Sequence, residues 1–369
     1  MTGALGLPGG IAASNLNVLQ ALDGLASTQG RSWTVLSLLE EGRHRPPFLS
    51  PATPYHAYGG SRSAFAAALL SHAIHRPLFV FDWVGLARPL LPLAAVRAAR
   101  TVIFAHGWEY WKTLSTVDRW AIQRATLNLT NSEYTLRRMR ARIPRFEGRA
   151  CPLGLSPQFP LNREAPPPFM DRIEMTACDG NIHVLGERVL LLVARMDPAE
   201  RMKGHAALLN VLPDLLRRHP ETQLVLPGPG QDIALHAQRA KELGVASSVF
   251  LPGMVSVELL ARLYRRCYAF TMPSKQEGFG MVYLEAMNYA KACVGCFDDG
   301  GEDVIVHGET GYLVHDPSDS REMLAVLEAL LADPARTRSL GIGGFERLHA
   351  RFTSQQHQMR IQNEIAPLL

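Results

Sequence analysis

Two clusters in the 369-residue sequence carry residue types that could do chemistry together. The first is Ser274-Lys-Gln-Glu277-Gly278-Phe279-Gly280-Met281-Val-Tyr-Leu-Glu285, with two carboxylates eight positions apart, roughly two helical turns. An apolar run over 268–273 precedes it and good helix formers follow, which predicts a strand, a glycine-bearing turn and a helix. Backbone N–H groups at Phe279, Gly280 and Met281 would then point from a helix N-terminus, where anions bind. Glycine at 278 and 280 would let a ligand approach the main chain. Capping carboxylates on an ordinary turn would leave the same pattern, and this motif alone does not separate the two readings. The second cluster, Arg195-Met-Asp-Pro-Ala-Glu-Arg-Met-Lys203-Gly204, follows the apolar run 189–194 and precedes a helical segment from His205. It puts a guanidinium and an ammonium at the carboxyl end of a strand, where open α/β sheets bind ligands, and two cations there suit a diphosphate. Solvated loop charges are the plain alternative.

The elements that must position these residues alternate along the chain. Strand-length apolar runs fall at 33–38, 78–83, 101–105 and 127–130, with amphipathic stretches such as 15–25 and 61–73 between them. A second set lies at 189–194, 223–227, 249–252, 268–273, 292–297 and 312–314. This alternation predicts βαβ units and parallel sheets. Between Pro152 and Gly186 periodicity fades and prolines cluster, including Pro157, Pro160 and Pro166-Pro167-Pro168, which reads as the connection between two α/β domains. The expected domains are 1–155 and 156–345, with a C-terminal helix over about 346–369 packing back on the first; both sizes support their own cores. With 47% hydrophobic and 20% charged residues the chain has material for both and no case for global disorder.

A parallel α/β domain normally opens with its central strand, followed by a Gly-rich turn. Here the turn Gly6-Leu7-Pro8-Gly9-Gly10-Ile11 arrives almost at once. Either the first strand is stunted or the start lies upstream, and a weak sheet centre is expected. The N-terminus has no basic segment followed by a long apolar one, and no apolar run nears the ~18 residues of a membrane span, so a soluble, cytoplasmic protein is expected. Five cysteines are too few and too odd in number for a disulfide framework. Cys293-Val-Gly-Cys296 sits in a strand-like run and reads as buried thiols rather than a metal or redox site.

Charge is unevenly divided. Residues 1–155 hold 17 Lys+Arg against 8 Asp+Glu, net +9, whereas the remainder holds 21 against 26, net −5. A basic half suggests an anionic partner. Arg137, Arg138, Arg140, Arg142, Arg145 and Arg149, interleaved with Leu136, Met139, Ile143 and Phe146, read either as a docking surface for an anionic membrane or as a solvated helix face. No nucleic-acid motif accompanies the charge, so no nucleic-acid partner is expected. Trp108, Tyr110 and Trp111 either line a ligand cleft or pack in the core.

Taken together, these residues resemble the family 4 retaining glycosyltransferases. The resemblance runs through Gly9-Gly10-Ile11, His106-Gly107, Asn131-Ser132-Glu133, Pro152-Leu153-Gly154, Arg195…Lys203-Gly204, Leu251-Pro252-Gly253-Met254-Val255, Glu277-x7-Glu285 and Gly308-Glu-Thr-Gly311. It implies the GT-B architecture, two Rossmann-like parallel-sheet domains facing each other across a cleft. It further implies transfer of a sugar from a nucleotide-diphosphate sugar to a glycan or lipid-linked acceptor with retained configuration. By the same resemblance Arg195 and Lys203 neutralise the donor diphosphate and Glu277 meets the sugar hydroxyls. The main chain at Phe279, Gly280 and Met281 adds hydrogen bonds, and Glu285 holds the ribose. Gly253 and Val255 border the base, His106 lies near the reacting sugar and Gly10 near the phosphates. The segment after Gly300-Gly301 is shorter than the family usually shows. The sequence has no Asp-x-Asp triplet, so no metal cofactor is expected. A sugar-nucleotide 2-epimerase or a non-catalytic sugar-nucleotide-binding protein are the alternatives; Arg195 and Lys203 combined with Glu277-x7-Glu285 argue against the epimerase.

Overall fold

The computed structural model describes residues 1–3, 10–42, 45–75, 77–95, 99–111, 113–167 and 171–369. Gly6 to Gly9 of the expected opening turn and the Trp108 side chain lie outside the described set. The chain forms two compact units, residues 1–158 with 352–369, and residues 159–351.

The first unit runs α1 (Gly10–Gln29), β1 (Val35–Ser37), β2 (Tyr55–Ala57), α2 (Arg62–Ala73), β3 (Leu78–Phe81), α3 (Leu91–Ala95) and β4 (Arg100–Ala105). It continues through α4 (Trp108–Trp111), α5 (Thr116–Arg124), β5 (Leu127–Thr130), α6 (Glu133–Arg142) and β6 (Arg149–Ala150). Strands β3 to β6 make a parallel sheet in sequence order, and β1 and β2 pair separately. Period-2 alternation sorts β4 between two cores. Val102 and Phe104 pack with Val18 and Leu25 of α1, and Ile103 and Ala105 with Phe65 and Leu69 of α2. Among the described residues no strand joins the β1–β2 pair to β3.

The second unit runs β7 (Glu174–Thr176), β8 (Ile182–Val184), β9 (Val189–Leu191), α7 (His205–Arg218), β10 (Gln223–Pro227), α8 (Ile233–Glu242), β11 (Val249–Gly253) and α9 (Val257–Arg266). After these come β12 (Ala269–Thr271), α10 (Met281–Asn288), β13 (Ala292–Cys296), α11 (Gly301–Val304), β14 (Gly311–Val314), α12 (Ser320–Ala332) and α13 (Pro334–Arg351); α14 (Ser354–Ile365) belongs to the first unit. Its six-stranded sheet is parallel throughout, in the order β11-β10-β9-β12-β13-β14. Counted within the sheet this is third, second, first, fourth, fifth, sixth. The order reverses between β9 and β12, and sheets of this kind bind ligands outside the carboxyl ends of the strands at that point.

Two segments differ from the sequence reading. The stretch 152–186 is not structureless: β7 and β8 form an antiparallel hairpin around Asp179-Gly180, with Gly180 at φ +90° and buried Ile173, Met175 and Ala177 facing inward. An Asp-Gly turn between short alternating runs was the available signal, obscured by the neighbouring prolines. The C-terminal helical pattern is two helices, because Thr353 builds a capping box. Its hydroxyl accepts the Gln356 N–H at 3.2 Å, and Gln356 Oε1 accepts the Thr353 N–H at 2.9 Å. A Cβ on Gly154 would lie 2.6 Å from the Thr353 carbonyl, so the Pro152-Leu153-Gly154 step lets two chain segments cross.

Candidate active site

Both chemical clusters hang on the two strands that flank the reversal. Strand β9 leads into the loop carrying Arg195 and Lys203, and β12 into the turn carrying Glu277. Glycines fix the approach of these segments. Gly204 sits at φ +96° with the Pro273 ring so close that a Cβ would meet it at 2.7 Å. Cβ atoms on Gly228 and Gly230, both at φ +152°, would collide with the carbonyls of Ala194 and Met196. The Gly228-Pro229-Gly230 step therefore holds the end of β10 against the Arg195 loop, a role the sequence reading did not assign. Gly300 does the same on the other side, since a Cβ there would run into the Gly278–Phe279 peptide.

These constraints gather a charged cluster. Lys203 Nζ pairs with Glu277, and a Glu200 oxygen lies 3.8 Å away. The other oxygen of Glu200 receives the Arg195 guanidinium, so Glu200 links the two cations. The Gly300 N–H donates to the Glu277 carbonyl at 3.0 Å and to Asp299 Oδ1 at 2.9 Å, placing the fully buried Asp299 behind the pair. Burial is the largest influence on the Lys203 ammonium and pulls its pKa down, but Glu277, Glu200 and Asp299 outweigh it and hold the pKa above its ordinary value. Burial, joined by the Glu277 charge, drives the Asp299 carboxyl well above the usual range. The site thus keeps a permanent cation surrounded by acids. Asp299 and Glu200 were missed in the sequence. Asp298-Asp299 follows an apolar run, but only the β12–β13 adjacency aims it here.

Gly280, at φ +85°, is the N-cap of α10 and contributes no side-chain oxygen to the first turn. The side chains of Phe279 and Met281 are buried, so any contact they make at the crevice is through the main chain. Gly253, at φ +69°, ends β11 and accepts the Gly228 N–H at 2.8 Å, which sets Gly253 and half-buried Val255 along the same carboxyl edge. The structure therefore brings Arg195, Lys203 and Glu277 together.

Glu285 is held separately. It lies in the buried body of α10 and accepts the Tyr264 hydroxyl at 2.8 Å. Burial raises its carboxyl to about 7. A carboxyl whose folded pKa exceeds its unfolded value supports the fold fully below the unfolded pKa, near 4.5, and that support is lost as pH rises through about 7. Glu285→Gln removes this dependence. We expect the variant to melt higher than the parent at pH 8, by an amount corresponding to roughly 3 kcal/mol, with the gap nearly closed at pH 4.5. Paired thermal scans across that range check it; a gap that does not change with pH rejects it.

In the first unit, His106 follows β4 at the carboxyl end of its sheet, and its carbonyl accepts Asn131 Nδ2 at 2.7 Å. Gly10 is exposed and opens α1. Tyr110 and Trp111 are buried, with the Tyr110 hydroxyl donating to the Phe104 carbonyl at 3.1 Å and Trp111 edge-on to Tyr134 at 5.6 Å, so both pack in the core. Leu136, Met139, Ile143 and Phe146 also belong to the core, while Arg137, Arg140, Arg142, Arg145 and Arg149 are exposed beside Ala141, Pro144 and Glu147. Several arginines of the stretch are engaged: Arg138 lies over the Trp111 ring, Arg149 pairs with Glu364 at 2.6 Å and Arg140 donates to the Gly148 carbonyl at 3.3 Å. Cys293 and Cys296 are buried three residues apart on β13 and so face opposite sides of the sheet; burial pushes the Cys296 thiol up to about 12. Among the described residues no helix is long and apolar enough to cross a membrane.

The fold is that of GT-B glycosyltransferases. The structure is similar to sucrose-phosphate synthase from Thermosynechococcus elongatus, with a TM-score of 0.72 and 19% identity, covering 98% of this chain and 94% of that one. It is also similar to Anabaena HepE in complex with UDP and glucose, with a TM-score of 0.69 and 16% identity over 95% of this chain and 96% of that one. The family model "Glycosyl transferases group 1" matches residues 181–347. A GDP-mannose-dependent alpha-(1-6)-phosphatidylinositol monomannoside mannosyltransferase of Mycolicibacterium smegmatis is 31% identical over 275 residues, covering 71% of this chain and 70% of the relative. The chain belongs to the group 1 glycosyl transferases, family 4 of the glycosyltransferases, and is a glycosyltransferase.

Proposed function

We propose that the chain transfers a hexose from a nucleoside-diphosphate sugar to a glycan or lipid-linked acceptor, with retention of configuration and without a metal. The observation that carries this is the Lys203–Glu277 pair, with Arg195 joined through Glu200, at the point of strand reversal. The anomeric C–O bond to the diphosphate breaks as negative charge grows on the departing phosphate. The acceptor oxygen bonds to the same face of the anomeric carbon, and its proton passes to the leaving phosphate oxygen. Lys203 and Arg195 stabilise that charge, the α10 N-terminus adds its amides, and Glu277 receives the sugar hydroxyls. Glu285 accepts the ribose hydroxyls in its ionised form, so nucleotide affinity falls below pH about 7. Gly253 and Val255 border the base. His106 and Gly10 enter on motif alone, as the residues near the reacting sugar and the phosphates.

The Mycolicibacterium smegmatis relative makes GDP-mannose and a phosphatidylinositol mannoside the first donor and acceptor to test. Purified protein is incubated with labelled GDP-mannose, UDP-glucose and other nucleotide sugars plus a membrane lipid extract. Label in lipid or glycan, with the donor's anomeric configuration and no loss in EDTA, is expected. Epimerised donor, or binding without turnover, overturns the reading.

The exposed arginines near residues 137–149 and the +9 charge of residues 1–155 support docking on an anionic bilayer at its surface. Because the interleaved apolar side chains are in the core, the attraction is electrostatic alone. Binding to phosphatidylglycerol vesicles at low salt is expected to vanish at roughly 1 M salt, where the Debye length is about 3 Å. Salt-resistant binding, or equal binding to neutral phosphatidylcholine vesicles, counts against it.

A further inference from the structure

Two residues in the loops of the site hold backbone angles that side chains rarely adopt. Gln276 sits at φ +67° in the turn after β12, and Asp298 at φ +51° in the loop after β13. A left-handed conformation is unfavourable for a residue with a Cβ and persists only where the surroundings enforce it. These are the two loops that meet behind the Lys203–Glu277 pair. Gln276 immediately precedes Glu277, and Asp298 precedes Asp299 and Gly300. The Gly300 N–H joins them through the Glu277 carbonyl at 3.0 Å.

Lys275 adds the remaining ties. Its N–H donates to the Met202 carbonyl at 2.9 Å, which fastens the turn to the loop carrying Lys203. Its side chain spans the end of β13, where Nζ donates to the His315 carbonyl at 2.7 Å and reaches the Phe297 carbonyl at 3.5 Å. Phe297 adjoins Asp298, and His315 follows β14. That far anchor is itself held, because the N–H groups of His315 and Asp316 donate to the Glu322 carboxylate at 2.8 and 3.0 Å, in the first turn of α12. An ammonium carries three donors on a flexible stem and can serve two carbonyls at once. The Lys275 ammonium goes to main-chain carbonyls, whereas that of Lys203 takes the Glu277 carboxylate.

We propose that Lys275 is a positioning residue for sugar transfer: by bracing the ends of β12, β13 and β14 it holds the left-handed turn at Gln276 and keeps the Glu277 carboxylate on Lys203. The inference rests on the reading of Lys203 and Glu277 as the working pair. Without the brace Gln276 relaxes towards negative φ, and a rotation one residue before Glu277 swings its carboxylate away. Misplacing a group at a reacting centre by about 1 Å costs up to about a hundredfold in rate. A lysine that only sealed the sheet would instead affect stability and leave the rate of the folded enzyme unchanged.

The test is steady-state kinetics with the nucleotide sugar that turns over fastest. Lys275→Met keeps the stem and removes the ammonium. It is expected to lower kcat about tenfold to thirtyfold, with donor KM within about threefold and melting temperature within about 3 °C of the parent. Lys275→Arg, which can still donate to both carbonyls, is expected to keep at least about a third of kcat. Adding Gln276→Gly to Lys275→Met is expected to recover kcat at least about threefold, since glycine takes φ +67° without a Cβ penalty. In a chain already carrying Glu277→Ala, Lys275→Met is expected to change kcat by less than about twofold, because no carboxylate is left to misplace. Parental kcat in Lys275→Met overturns the brace and leaves the Lys203–Glu277 pair standing. So does a full tenfold loss repeated on the Glu277→Ala background, or no recovery with Gln276→Gly. Glu277→Ala with parental turnover removes the pair itself, and the brace with it.

Discussion

Replacing Lys203 with alanine is expected to lower kcat by two to three orders of magnitude, roughly 3–4 kcal/mol, with a smaller change in KM for the donor. Donor and transition state both carry the diphosphate, but charge on the oxygen leaving the anomeric carbon grows only as the bond breaks. A fixed ammonium therefore acts more strongly on the barrier than on binding. Lys203 is suited to this because Glu277, Glu200 and Asp299 keep it protonated against the pull of burial, so no part of the working pH range finds it neutral. The partner swap costs little: Glu277 releases the ammonium to phosphate and turns to the sugar. Removing the ammonium also leaves Glu277 and Asp299 facing each other. The variant is expected to lose a few degrees of melting temperature at pH 8 and less at pH 5, where the Asp299 carboxyl, held well above the usual range, is more readily protonated. Lys203→Arg keeps the charge in a different shape and should recover part of the rate. Turnover of Lys203→Ala within threefold of the parent would remove the residue from the mechanism.

Much of this arrangement is legible in the sequence. Where apolar runs were long and bounded, as at 189–194, 223–227 and 292–297, strands formed within them, because a parallel strand covered on both faces is apolar without interruption. The clusters at Lys203 and Glu277 lie on neighbouring strands because β9 and β12, the first and fourth strands of the six-stranded sheet, pair directly; the alternation of strands and helices implied a parallel sheet but not that order. The hidden parts depend on long-range approach. Nothing local distinguishes Gly228 from a loop glycine; its need arises from the Ala194 carbonyl, 34 residues earlier in the chain. Asp299 acquires its raised pKa from burial and from Glu277, neither of which spacing encodes. The arginines of α6 look membrane-facing in sequence because the apolar residues between them, such as Leu136 and Met139, turn inward only once the helix packs.

Glu277 supplies the sharper test of the same site because it and Lys203 work as a unit. Glu277→Ala alone is expected to reduce kcat about a hundredfold: the sugar loses a hydrogen-bonding carboxylate, and the ammonium loses its nearest anchor and drifts from the phosphate. In the double variant there is no ammonium left to misplace, so most of that second loss should disappear. Lys203→Ala with Glu277→Ala is then expected to fall within roughly threefold of Lys203→Ala alone, a coupling of about 2 kcal/mol between the two positions. Steady-state kinetics on the four proteins, with the nucleotide sugar that turns over fastest, gives this number directly. Independent losses that multiply to about 10⁵ would mean that the two side chains touch different parts of the donor and that their pairing belongs to the empty enzyme only. Gly300→Ala separates charge from placement in the same assay. Its Cβ would push the Gly278–Phe279 peptide aside without altering any ionisable group, so a loss comparable to that of Glu277→Ala would assign the effect to the turn's geometry.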